Sequence, residues 1–152
     1  MKINVVAISK SERDCYSQLC DHFSKMSRRY AKIESVELFN AKVTRAQQSG
    51  AEPSKRLYAS MLEPWLAKGY AVALDPLGKS VDTEGFADLL GKRSEITFFI
   101  GGAYGHSKEF LKRCDTSLSL SSLTMSHKVA KVVLFEQIYR ALAILNNHPY
   151  HK

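Results

Sequence analysis

The run Ile100-Gly101-Gly102-Ala103-Tyr104-Gly105 follows a strongly apolar stretch, Glu95–Ile100, and sets three glycines within five positions. Glycine lets backbone amides approach a ligand closely and admits positive φ. In an open α/β sheet, ligands sit at the carboxyl ends of strands. A lone cluster of this kind is an ordinary tight turn, but here it has company. Leu74-Asp75-Pro76-Leu77-Gly78 ends a second apolar run, and Leu120-Ser121-Ser122-Leu123-Thr124-Met125 is rich in small hydroxyl residues. Three such loops suit a nucleoside-like cofactor, with amides reading the base edge and apolar side chains flanking it. Gly78-Lys79-Ser80 ends like a phosphate-binding loop, yet the glycine required five residues earlier is Ala73, so it reads as a plain loop after a strand.

Basic and titratable groups gather near the C-terminus. After Thr116 the only acid is Glu136, against Lys128, Lys131, Arg140 and Lys152, with His127, His148 and His151 able to titrate near neutral pH. A second cluster, Lys25, Arg28, Arg29 and Lys32, has no acid between Asp21 and Glu34. Two explanations compete there: phosphate binding, and the preference of cations for a helix C-terminus.

The elements that must position these groups follow from periodicity. Lys2–Ile8 reads as a buried strand, and Cys15, Leu19, Phe23, Met26 and Tyr30 recur at helical spacing over Asp14–Tyr30. Ile33–Phe39 alternates as a second strand. Residues 40–53 are polar, contain Gly50 and Pro53, and read as a long surface loop. Ser54 is placed to cap a helix through Leu57, Met61 and Leu62, which Pro64 kinks or restarts. Tyr70–Leu74 and Glu95–Ile100 are strands, with a short helix at Thr83–Leu90 between them. A helix near Ser107–Arg113, a Ser-rich apolar segment at 117–123 and a long helix near Lys128–Leu145 complete the chain. Strands alternating with helices predict an α/β fold with a parallel or mostly parallel sheet flanked by helices. The last helix is apolar on most sides, so it is covered either within one subunit or in part by a second copy.

Composition bounds the rest. The chain has 152 residues, 45% hydrophobic and 24% charged, which fits a single globular domain over 1–152 and excludes wholesale disorder. No apolar run reaches the ~20 residues of a membrane span, and Met1–Lys10 does not read as a secretory signal. Three cysteines without a CxxC pair exclude a disulfide framework or zinc ribbon, no metal site is expected, and a cytoplasmic protein is. Net charge is +7, carried evenly: residues 1–76 hold 12 bases and 8 acids, and 77–152 hold 10 and 7. Such a balance suits a polyanionic partner but says nothing of fold.

Taken in order, Ile100–Gly105, then Leu118–His127 (LSLSSLTMSH), then Val132–Ala141 (VVLFEQIYRA) and the terminal Tyr150-His151-Lys152 resemble the bacterial ribosomal RNA large subunit methyltransferase H family. These are small enzymes of the SPOUT class that methylate N3 of a pseudouridine in 23S rRNA. The resemblance runs from MKINVVAISK to the final YHK. It implies a C-terminal trefoil knot, S-adenosyl-L-methionine as methyl donor, and a homodimer packed through the knot region, acting on the assembled ribosome or large subunit. The implied cofactor residues are Leu74, Gly101, Gly102, Gly105 and the segment Leu120, Ser121, Ser122, Leu123, Thr124 and Met125. His127, Tyr150 and His151 are the candidates for proton handling. Arg140 and Lys152 are candidates for holding a phosphate or the developing anion. The basic stretch after Thr116 and the cluster around Arg28 would grip rRNA phosphates. Two positions depart from the family pattern: Ser126, where proline often precedes the histidine, and Ser9, where glycine is usual. A non-catalytic RNA-binding or ribosome-assembly factor on the same fold is the alternative.

Overall fold

The computed structural model describes residues 1–152. Five strands, β1 (Lys2–Ala7), β2 (Lys32–Glu37), β3 (Tyr70–Ser80), β4 (Glu95–Ile100) and β5 (Thr116–Ser119), form one sheet in the order β2-β1-β4-β3-β5. Every pairing is parallel. The helices are α1 (Cys15–Ser27), α2 (Ala41–Ser49), α3 (Ala51–Leu62), α4 (Thr83–Gly91), α5 (Lys108–Arg113) and α6 (His127–Leu145). The expectation of a parallel α/β sheet flanked by helices is borne out.

Period-two alternation sorts the strand side chains onto two apolar layers. Ile3, Val5, Val72, Ile96 and Phe98 face one core with Phe86 and Leu90 of α4 and Leu134, Phe135, Ile138 and Leu142 of α6. Val6, Ala71, Ala73 and Phe99 face the other with Val43 of α2, Tyr58 and Leu62 of α3 and Phe110 of α5. Both faces of the sheet are thus buried, as an all-parallel sheet requires. Helix α6 packs against both α1 and α4, so most of its apolar surface is covered within one chain. Tyr16 and Leu19 of α1 and Val129 of α6 remain exposed. All three cysteines are free.

The polar stretch 40–53 is not a loop. Asn40 caps α2 by accepting from the amides of Lys42 and Val43, and Val43 anchors the helix with full burial. Gly50, at φ +114, breaks the chain between α2 and α3. Pro53 is tolerated because it stands in the first turn, where its missing amide had no partner to lose. Ser54 does not cap α3 but sits inside it, buried, its hydroxyl donating to the Gly50 carbonyl at 2.8 Å. Pro64 stands second in a single 3₁₀ turn, Glu63–Trp65, that directly continues α3.

Strand β3 is longer than its apolar run. Leu118 of β5 pairs with Leu74 and again with Lys79, so residues 75–78 leave the ladder and return to it. The Asp75 carboxylate accepts from the Leu77 amide at 2.7 Å to tighten that excursion, and Leu77 points fully into solvent.

Candidate functional site

Because the strands are parallel, the three loops singled out above leave the sheet at the same rim. They meet in one cleft of about 370 Å³. Leu74, Gly101, Gly102, Gly105, Leu120, Ser121, Leu123, Thr124 and Met125 line it, joined by Asp75, Ile100, Leu118 and His127. Ser122 is exposed on the same loop and does not line the cleft.

The glycines answer to distinct constraints. The Gly105 amide donates to the Gly102 carbonyl at 2.9 Å, closing a turn in which Gly105 takes φ +72. A Cβ on Gly101 would stand 3.0 Å from the Gly105 carbonyl carbon, and one on Gly102 would stand 2.6 Å from Tyr58 Cζ. Tyr58 is fully buried and its hydroxyl accepts from Gln47 Nε2 at 2.8 Å, so its ring cannot step aside. Beneath the loop, His106 Nε2 donates to the Phe99 carbonyl at 3.2 Å while its ring stacks on Phe110. Burial lowers the His106 pKa and keeps it neutral; its Nδ1 has no partner.

The hydroxyl loop holds itself in place. Ser119 Oγ donates to the Ser121 carbonyl, and Ser121 Oγ accepts from the Leu123 amide. Ser126 caps α6 by accepting from the Val129 amide at 3.3 Å. Ser126 therefore fixes the loop's exit by a side-chain hydrogen bond.

The candidates for proton and anion handling fall into two places. His127, exposed at the start of α6, lines the cleft. Arg140 lies about 20 Å farther along the helix axis at the standard rise, and neither it nor Tyr150 nor His151 lines the cleft. After α6, Asn147 turns the chain at φ +55 and the tail folds back along the helix. Tyr150 packs edge-on to Tyr139 and donates its hydroxyl to Glu136 Oε1 at 3.2 Å. The same oxygen accepts from Arg140 Nε at 3.0 Å and Nη2 at 2.5 Å, while Arg140 Nη1 donates to His151 Nδ1 at 3.4 Å.

Glu136 thus organises the tail, a role sequence reasoning missed. Its being the only acid after Thr116, four residues before Arg140, was the available signal. Hydrogen bonding to this carboxylate raises the Arg140 pKa further, so its charge is permanent but already engaged. Burial, with the Glu136 charge beside it, raises the Tyr150 pKa, so the phenol keeps its proton at neutral pH and acts as a donor. Lys152 is exposed at the terminus. The basic cluster around Arg28 precedes β2, so it lies at the strand entrances, on the rim opposite the cleft.

No helix is long and apolar enough to cross a membrane. Residues 1–151 match the family model described as "Predicted SPOUT methyltransferase". The chain is 53% identical to the "Ribosomal RNA large subunit methyltransferase H" of Aliarcobacter butzleri over 152 residues, covering all of both chains. It is 48% identical to the protein of that name from Campylobacter concisus and 46% identical to that from Sulfurovum sp. (strain NBC37-1), again over the full length of each. Among solved structures, "a probable methylase family protein from Haemophilus influenzae Rd KW20" shares the fold at a TM-score of 0.63 and 14% identity, over 99% of this chain and 70% of that one. The resemblance drawn from the glycine loop, the Ser-rich loop and the terminal YHK is thereby borne out: the chain belongs to the SPOUT methyltransferase family.

Proposed function

We propose that this methyltransferase transfers the methyl group of S-adenosyl-L-methionine to N3 of a pseudouridine in 23S rRNA, acting as a homodimer on the assembled ribosome or large subunit. The observation that carries this reading is the convergence of three strand-exit loops on one cleft at the carboxyl rim. The cleft suits the cofactor in size and lining. Pockets for such ligands start at roughly 300 Å³ and are mostly apolar with a few polar groups. Bare backbone at Gly101 and Gly102 offers amide and carbonyl groups where a Cβ would collide with Gly105 or Tyr58. Leu74, Leu120, Leu123 and Met125 supply apolar walls. When bound, the cofactor supplies a sulfonium-activated methyl group, so the protein's task is to align the acceptor and remove its proton.

That task needs both groups of residues. Uracil-type N3 carries a proton that must leave as the methyl arrives, and a base must stand within hydrogen-bond reach of it. In one chain, His127 and Asp75 are the titratable side chains lining the cleft. Arg140, Tyr150 and His151 are ordered by Glu136 but stand away from it. A second copy packed on the exposed strip of Tyr16, Leu19 and Val129 would bring its own tail to the first copy's cleft. His127 or the tail His151 then accepts the N3 proton, and Tyr150, turning its single O–H from Glu136 to the substrate, donates a hydrogen bond to the uracil carbonyl where negative charge develops. Arg140, with three of its five donors on Glu136 and His151, holds the tail in shape, and Lys152 remains free to meet a phosphate.

The knot belongs to the same reading. The excursion 75–78 returns across β5 so closely that Gly78 leaves no space for a side chain, which supports a C-terminal segment threaded past that loop.

The deciding experiment is methyl transfer to ribosomes and large subunits from a strain lacking this protein, with the modified nucleoside identified by mass. The expected product is an N3-methylated pseudouridine. Tight RNA binding with no transferred methyl would instead mark a non-catalytic assembly factor.

A further inference from the structure

The exit rim of the sheet, where the cleft opens, carries a particular balance of charge beside β1 and β2. Three of its acids, Glu12, Asp14 and Glu37, are already engaged, while Asp21 in the groove and Asp75 in the cleft face no cation. Lys128 Nζ lies 2.5 Å from Glu12 Oε2 and 2.6 Å from Asp14 Oδ2, and Lys131 pairs with Glu37. Lys10 and Arg13 in the β1–α1 loop, and Lys42 and Arg45 on α2, are exposed and have no carboxylate partner. Lys42 and Arg45 are three apart on one helical face, and no acid occurs between Glu37 and Glu52.

This rim is built onto the cleft. Gln47 of α2 holds Tyr58 against Gly102, and its carbonyl accepts from the Tyr104 hydroxyl of the glycine loop at 3.4 Å. His127 lines both the cleft and the adjoining groove bordered by Lys10 and Arg13.

We propose that Lys10, Arg13, Lys42 and Arg45 form the phosphate-docking edge along which the substrate RNA backbone is laid toward the cofactor cleft. The inference rests on reading the protein as an rRNA methyltransferase and names the surface by which it holds that substrate. Phosphate contacts of this kind set register and affinity without reading sequence, and each released counterion adds to the salt dependence of binding. The cluster at Lys25, Arg28, Arg29 and Lys32, though as basic, faces the other rim and does not take part.

The test compares wild type with Lys42→Gln/Arg45→Gln and with the opposite-rim pair Arg28→Gln/Arg29→Gln. Binding to purified large subunits is followed by fluorescence anisotropy across a salt series, with cofactor affinity by calorimetry and methyl transfer in parallel. The α2 pair should weaken subunit binding roughly tenfold and flatten the slope of log K against log salt by about one to two. Cofactor affinity and turnover at saturating subunits should stay at wild-type levels, and the Arg28/Arg29 pair should bind within about twofold of wild type. The inference is overturned if the α2 pair binds like wild type, if the opposite-rim pair loses as much, or if wild type does not bind subunits at all. Should wild type bind subunits yet transfer no methyl, the enzymatic reading fails, while the comparison of the two pairs still decides the docking edge.

Discussion

Gly78 lies directly against the backbone of Leu118: a Cβ at position 78 would stand 2.7 Å from the Leu118 carbonyl carbon and 2.8 Å from its nitrogen. Backbone in a paired strand cannot yield as a side-chain tip can. Gly78→Ala should therefore push β5 from β3 and cost about 1–3 kcal/mol, the range for overpacking. A denaturant midpoint unchanged from wild type would refute the contact.

The glycine loop makes a second, milder case. In Gly102→Ala the new methyl meets the ring of buried Tyr58, whose hydroxyl is tied to Gln47. The loop should move rather than the ring, so cofactor affinity should fall at least several-fold while the far side of the sheet stays intact. Calorimetry with S-adenosyl-L-methionine, alongside a thermal melt, separates the two. The double variant Gly102→Ala/Tyr58→Leu should regain part of the lost affinity.

Glu136 holds Tyr150 and Arg140 in one network, so its charge should matter to the reaction without touching the cofactor cleft. Removing Tyr150–Lys152 should abolish methyl transfer and spare cofactor binding. Glu136→Gln should lower turnover on large subunits at least tenfold with cofactor affinity within twofold of wild type. An active enzyme lacking its last three residues would remove the tail from the mechanism.

His106 predicts an acid-sensitive stability. Burial lowers its folded pKa below the ordinary value of 6.5, so the unfolded chain binds a proton more readily than the folded one. The contribution is complete above about pH 6.5 and is lost as pH falls from there toward the folded value. Melting temperatures measured between pH 7.5 and pH 5 should drop less for His106→Phe, which keeps the stack on Phe110, than for wild type. Parallel pH profiles for the two would show that His106 already carries its proton in the fold.

The parallel sheet, its apolar strands and the three strand-exit loops that line one cleft were legible from residue order alone, because burial leaves a period-two or 3.6-residue trace and strand exits gather glycine. Where the readout failed, local and tertiary terms had diverged. Residues 40–53 look like a loop because their polar and loop-forming residues mask the one buried anchor, Val43, and Pro53 is harmless only once its place in the first turn of α3 is known. Gly78 looked like a decoy for phosphate binding; its need for bare backbone arises from β5, a strand 40 residues away in sequence.

Charge shows the division most plainly. The amino-acid sequence by itself determines that the chain carries +7 with few acids after Thr116, and it carries the motifs of its methyltransferase family. Only the tertiary structure decides which cations are free. It spends Lys128 and Lys131 on Glu12, Asp14 and Glu37, occupies Arg140 with Glu136, and sends the Arg28 cluster to the rim away from the cleft. The reason is physical: a charge is available to a partner only where no opposite charge has been folded against it, and that pairing spans separations a local pattern does not record.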